Sequence, residues 1–260
     1  MALNRTALRL ATIEALAPHA LHSLGTGWPT LAEGRVIDTA LNRAFDGWDG
    51  TQQCFVAVYV DAATREARAE TSDISGDSID QCTLGIEIAL PLAGADDNGN
   101  LLPYAPVTDA DAEALLDLIE AQIHQRLEWA RMDGLLHHVL LQITKTASDA
   151  QREPDLGLRV AARRVEYECV IRQQSALPIG ATGLARLPSP LREVAEKLPI
   201  GSAAHDMCLR LVAAMAEPAA FSALETFRIA VALAREPGSA APPAFDNGQG
   251  GDKQASVIFP

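Results

Sequence analysis

Two stretches decide the fold of this chain: residues 53–60 read QCFVAVYV, and residues 82–92 read CTLGIEIALPL. The first combines β-branched and aromatic residues with little polarity, which is typical of a strand buried on both faces and central in its sheet. The second has the period-two pattern of a strand with one buried face. Its apolar positions are Cys82, Leu84, Ile86, Ile88 and Leu90. Together the two stretches predict an antiparallel strand pair.

Helical patterns flank this pair in the sequence. Residues 4–17 are Ala-rich and amphipathic, which predicts one helix ending near Pro18. Residues 108–132 form the strongest helical pattern, because Thr108 supplies an N-cap, acids follow in the first turn, and apolar residues recur at helical spacing. We therefore predict an α+β fold in which a small mixed or antiparallel sheet is flanked by helices.

Three further segments are assigned from their patterns. Residues 35–39 predict a short strand, and residues 158–172 alternate in the manner of a partly exposed strand. The predicted inward side chains of that last strand are Val165, Tyr167, Cys169 and Ile171. Residues 135–144 are apolar and fit either a short helix or a strand.

Composition divides the chain into three parts. Residues 1–175 contain the predicted α+β domain. Residues 176–236 begin with a stretch that contains Pro and Gly and continue with three helical patterns, which predicts a C-terminal helical extension. Residues 237–260 are rich in Gly, Pro, Ala and Gln and predict a flexible tail.

Charge is distributed unevenly along the chain, whose formal net charge is −13. Residues 1–155 carry 10 Arg and Lys against 24 Asp and Glu, whereas residues 156–236 carry 10 against 8. An acidic surface repels phosphate, so we expect no tight nucleic-acid binding by the first part. The acidity either keeps the protein from self-associating or provides a surface to which DNA does not adhere.

Recognisable catalytic and cofactor motifs are missing from the sequence. It contains no Gly-x-Ser-x-Gly elbow, no phosphate-binding Gly-x-x-x-x-Gly-Lys and no His-Glu-x-x-His. The histidines have no partners at metal-ligand spacing, and residues 96–100 lack the Gly and Glu positions of a calcium loop. We therefore predict no catalytic residues, no cofactor, no metal and no enzymatic activity.

The cysteines and the N-terminus bear on the compartment. Four widely spaced cysteines without a C-x-x-C motif predict reduced core thiols, with a pair between Cys54 and Cys82 as the alternative. Charged residues interrupt the N-terminal apolar pattern, and no apolar run approaches the ~18 to 20 residues needed to cross a bilayer. We expect the chain to fold in the cytoplasm and to have no membrane partner.

The order of the predicted elements, together with the turn PTLAEGRV at residues 29–36, resembles the tail terminator (tail completion) proteins of tailed bacteriophages. The resemblance covers residues 3–172 and rests on this order more than on any single motif. It implies an α+β subunit that assembles as a hexameric ring, caps the finished tail tube, ends tube polymerisation and forms the joint to the head. Residues 177–260 extend beyond the compact family pattern.

The resemblance also implies partners and a location. The partners are further copies of the chain, the tail tube protein and a neck or head-completion protein, in the tail–neck region of a virion assembled in the host cytoplasm. For the C-terminal extension, three alternatives stay open as the partner: the tail sheath, a neck protein or a neighbouring subunit. Two alternatives stay open: another neck or connector protein of the head–tail interface, and a soluble enzyme with an unrecognised site.

Two polar segments are predicted to form subunit contacts. Arg35 and Asp38 flank a short apolar pair, and the alternative for them is a local surface ion pair. Residues 62–80 begin as a continuation of the first strand and project as a mixed-charge arm that reaches a neighbouring subunit. The alternative is a solvated loop. The predicted contact residues of this arm are Arg65, Arg68 and Glu70.

Overall fold

The computed structural model describes residues 2–39, 53–67, 78–92, 94–95, 101–102, 109–153 and 159–216. The helices are α1 (Ala2–Leu16), α2 (His19–His22), α3 (Asp109–Asp133), α4 (Leu191–Lys197) and α5 (Ala203–Ala216). The strands are β1 (Val36–Asp38), β2 (Phe55–Ala67), β3 (Ser78–Leu92), β4 (Gly94–Ala95), β5 (Leu101–Leu102), β6 (Leu140–Glu153) and β7 (Arg159–Ile171). Several predicted segments lie outside the described residues: the turn at 96–100, the third helix of the extension and the tail 237–260.

Five of the strands form one mixed sheet in the order β1-β2-β3-β7-β6. The first pair, β1 with β2, is parallel, and the other neighbours are antiparallel. β3 lies in the centre of the sheet and β2 beside it, so the predicted antiparallel pair is confirmed, with β3 as the central member. The α+β fold class is confirmed as well.

One face of the sheet carries the main core. The period-two pattern of β3 places Leu84 opposite Tyr167 of β7 and Ile86 opposite Val165, and all four side chains are fully buried. Both α1 and α3 pack against this face. Their buried apolar residues include Leu8, Leu16, Ile119 and Ile123. The predicted inward set of the last strand is therefore confirmed.

On the opposite face of the sheet, an aromatic ring packs over a glycine of the neighbouring strand. Tyr59 of β2 lies in register with Gly85 of β3, and its ring occupies the space that a side chain at residue 85 would need. The Tyr59 hydroxyl donates a hydrogen bond to Glu87 Oε1 at 2.9 Å, and the Arg164 guanidinium lies 5.5 Å from the ring centroid. A ring over a strand glycine restores the packing that the missing side chain leaves out.

The apolar segment at residues 135–144 contains both of its predicted alternatives. A 3-10 turn covers Leu135–His138, and β6 begins at Leu140. Leu136 and Val139 are fully buried, because the turn packs under α1 and α3. β6 then forms the outer edge of the sheet: it bonds only to β7 among the described strands, and most of residues 141–150 are exposed.

The described part of the C-terminal extension packs against the helical layer. α4 contacts α1, and α5 contacts both α4 and the 3-10 turn Gly183–Arg186. Leu191, Val194 and Cys208 are fully buried and belong to the same core cluster as the sheet. The extension therefore contributes to the core of the sheet domain.

Candidate functional site

An acidic groove of about 490 Å³ lies between α3 and the β6–β7 hairpin. From α3 it is lined by Asp117, Glu120, Ala121 and His124, which share one side of the helix. From the strands it is lined by Thr146, Ser148, Arg163 and Tyr167. We call this surface the acidic groove.

The charges of the acidic groove meet at Arg163, which β7 directs toward α3. Its guanidinium binds Glu113 Oε2 at 2.8 Å, Glu120 Oε2 at 2.9 Å and Asp117 Oδ1. Burial lowers the pKa of Arg163, but the hydrogen bonds that it donates to Asp117 and Glu120 outweigh burial and hold the pKa above its usual range. Three carboxylates therefore share one cation, which leaves an excess of negative charge.

A buried hydroxyl lies at the base of the acidic groove. Tyr167 is fully buried, and its hydroxyl has no hydrogen-bond partner among the described residues. Burial raises the pKa of Tyr167, and the charge of Glu120 raises it further, so the hydroxyl stays neutral. The His124 ring is stacked on the tyrosine at a centroid distance of 6.2 Å. Because an unpaired buried hydroxyl costs free energy, this atom is suited to accept or donate a bond when the groove is filled.

A second groove, of about 380 Å³, lies near the carboxyl end of α3. Its apolar lining includes Pro18, Trp129, Leu135 and Pro199, and the Trp129 side chain is 62% exposed. We call it the Trp129 groove.

The charged lining residues of the Trp129 groove are Glu14, Arg126 and Lys197. Burial raises the pKa of Glu14, while Arg126 donates from Nε to the Ala15 carbonyl at 2.8 Å. Lys197 is exposed and forms no ion pair among the described residues. The Trp129 groove thus has an apolar floor and an excess of positive charge.

The predicted contact residues Arg35 and Asp38 both have intrachain partners. Arg35 binds Glu33 at 2.6 Å and donates from Nε to the Cys54 carbonyl at 3.0 Å. Asp38 binds Arg9 of α1 at 2.6 Å, and although burial raises the pKa of Asp38, the charge of Arg9 opposes that rise. The two residues do not pair with each other, and their role in a subunit contact stays a prediction.

The base of the predicted arm is anchored by Arg65. Its guanidinium binds Asp80 through Nε at 2.6 Å and through Nη2 at 2.8 Å, and Asn4 of α1 donates to Asp80 Oδ2 at 3.0 Å. β2 extends to Ala67 and β3 begins at Ser78, which confirms that the strand continues into the arm. The other two predicted contact residues, Arg68 and Glu70, lie outside the described residues.

The described cysteines and histidines form no recognisable reaction centre. Cys54, Cys82, Cys169 and Cys208 are buried and unpaired. Burial is the main cause that raises the pKa of Cys54 and Cys82 to about 12, so both thiols are neutral. Within the described ranges, no three His, Cys, Asp or Glu side chains gather as a metal site.

Neither groove was predicted from the sequence. The available signal was Arg163: it has the same strand parity as Val165 and Tyr167, so it faces the helix and needs carboxylate partners. Those partners recur along one side of α3, but only the packing of α3 on β7 brings them together.

No protein-family model matches the chain, and no curated protein matches it. Among the described helices, none combines the length and the apolar character needed to span a membrane.

Proposed function

We propose that this protein is a structural virion protein that caps a phage tail tube as a ring, ends tube polymerisation and forms the joint to the head. One observation carries the proposal. The chain forms α1, β1, the β2–β3 hairpin, α3 and the β6–β7 hairpin in that order, and the strands share one sheet. The resemblance to tail terminator proteins rests on the order of α1, the turn at residues 29–36, β2, β3, α3 and β7 within this series.

The surface of the subunit supports an assembly role. β6 is a long edge strand that is exposed along most of its length, and such edges form further contacts unless they are blocked. The acidic groove and the Trp129 groove are concave and carry opposite excess charge. An exposed tryptophan is also a common anchor of protein interfaces.

The proposed partners follow from the same role. They are further copies of the chain in a hexamer, the tail tube protein, a neck or head-completion protein, and the tail sheath through the extension. The chain would occupy the tail–neck region of the virion, and DNA would pass through its acidic lumen without tight binding.

Assembly with the tube protein tests the proposal. The full chain is purified, its mass is measured by light scattering after gel filtration, and it is then added to polymerising tail tube protein from the same phage. We expect a mass of six subunits and rings in negative-stain images. We also expect tube growth to stop when this chain is present at well below one copy per copy of the tube protein. A chain that stays monomeric and leaves tube growth unchanged would refute the proposal.

Imaging of intact particles separates the two assembly roles. A label on this chain at the end of the tube supports the terminator, whereas a label between the tube cap and the head supports a connector.

A further inference from the structure

We infer that the joint between neighbouring copies is formed when the acidic groove of one copy receives the Trp129 groove surface of the next, with Lys197 entering beside Asp117. This inference rests on the proposed ring. The occupant is a second copy of this chain, and the argument for it is complementarity of charge and placement.

The placement of the two grooves suits a head-to-tail ring. Successive residues of an α-helix are rotated by about 100°, so Trp129 and Arg126 lie about 120° and about 180° around the axis from Asp117. The two grooves therefore flank α3 on different sides. A heterologous joint that closes into a ring requires two different surfaces on each subunit, whereas a two-fold dimer requires only one.

The charges of the two grooves are complementary. In the acidic groove Asp117 is 67% exposed and shares Arg163 with two glutamates, so the cluster keeps an excess of negative charge that an added cation would reduce. In the Trp129 groove Lys197 is exposed and unpaired among the described residues. Opposite charge across an interface steers association and fixes its register.

The buried hydroxyl of Tyr167 provides an observation independent of the acidic cluster. Its oxygen lies at the base of the acidic groove without a hydrogen-bond partner in the described part of the chain. An ammonium group has donors but no acceptor, so Lys197 of a neighbouring copy can donate to both the carboxylates and this oxygen. The joint would satisfy a polar atom that has no partner among the residues the structure describes.

A charge swap in the full chain tests the joint. Asp117→Lys and Lys197→Asp are each expected to raise the subunit concentration at half-assembly about tenfold, and the double variant is expected to return it to near the wild-type value. Added salt should weaken wild-type assembly, because it screens the same charges. Circular dichroism shows whether each variant is folded, and Asp117→Asn removes the charge without repelling Arg163.

Two matched controls make the same change of charge elsewhere. Asp206→Lys and Arg210→Asp both lie on α5, outside the residues that line either groove, and both side chains are exposed. Neither should change assembly by more than about twofold. If the wild-type chain forms rings and the folded variants assemble equally well, this joint is wrong and the ring stands. If the wild-type chain forms no rings, the proposed function fails and the joint fails with it.

Discussion

Substitution of Asp80 by Asn should destabilise the fold in a pH-dependent way. The Asp80 side chain is fully buried, and it accepts two hydrogen bonds from Arg65 and one from Asn4. The substitution keeps the size of the side chain but removes its charge. Breaking a buried ion pair costs about 3 to 5 kcal/mol, and the Arg65 side chain is 26% exposed, so water solvates part of the charge left behind. We therefore expect a loss of about 2 to 3 kcal/mol in the free energy of unfolding near neutral pH.

The pH dependence follows from the pKa of Asp80. Burial raises this pKa, but the hydrogen bonds and charge of Arg65 and the bond from Asn4 outweigh burial, so the pKa in the folded chain lies below its usual value. A depressed pKa means that the stabilisation is complete above the unfolded value of about 3.9 and is lost as the pH falls through the folded value. The difference between wild type and Asp80→Asn should therefore shrink below about pH 4.

Urea unfolding followed by circular dichroism measures this difference at a series of pH values. Protein concentrations must be equal, because the proposed assembly would add to the apparent stability. The exposed Asp149→Asn serves as the control and should change stability by less than about 0.5 kcal/mol. A difference for Asp80→Asn that is below that size, or that stays constant as the pH falls, would refute the reasoning.

Two further predictions concern packing and the thiols. Gly85→Ala should cost about 1 to 3 kcal/mol, because the new methyl group overlaps the Tyr59 ring, and the same change should cost less in a Tyr59→Ala background. Urea unfolding of the four proteins gives the coupling, and additive losses would contradict the contact. An aromatic disulfide reagent at about pH 8 should label no thiol in the native chain and all four after denaturation. The reason is that all four cysteines are buried and their thiol pKa values are raised. Prompt labelling of the native chain would count against this prediction.

The sheet was predictable because its strands carry their pattern locally. Val165 and Tyr167 alternate with polar residues, and that alternation alone determines which side chains meet the core. Residues 135–144 were ambiguous because a short apolar run fits either structure. The segment changes from a 3-10 turn to a strand near Leu136 and Val139, which pack beneath α1 and α3. The residues around this point do not indicate that contact in the sequence.

The grooves and the anchor of the arm depend on contacts between distant residues. Asp117 and Arg163 are separated by the end of α3, the 3-10 turn and the whole of β6, and only the sheet order places them together. The structure pairs Arg65 with Asp80 in its own hairpin, and the predicted contact of Arg65 with a neighbouring subunit stays a prediction. The sequence contains both charges, but the strand register that joins them follows from the β-bulge between Val60 and Ala63.

If the partners of the proposed ring cover β6, a copy of the chain that leaves the ribosome before they are available presents the outer edge of this strand to every other chain. The strand contains no proline, and the charged residues along it that can act against edge-to-edge pairing are Lys145, Asp149, Arg152 and Glu153. We expect the chain to enter inclusion bodies when it is overproduced alone and to remain dispersed when it is co-expressed with the proteins that cover this edge. The supply of usable subunits would then depend on the timing of synthesis as well as on stability.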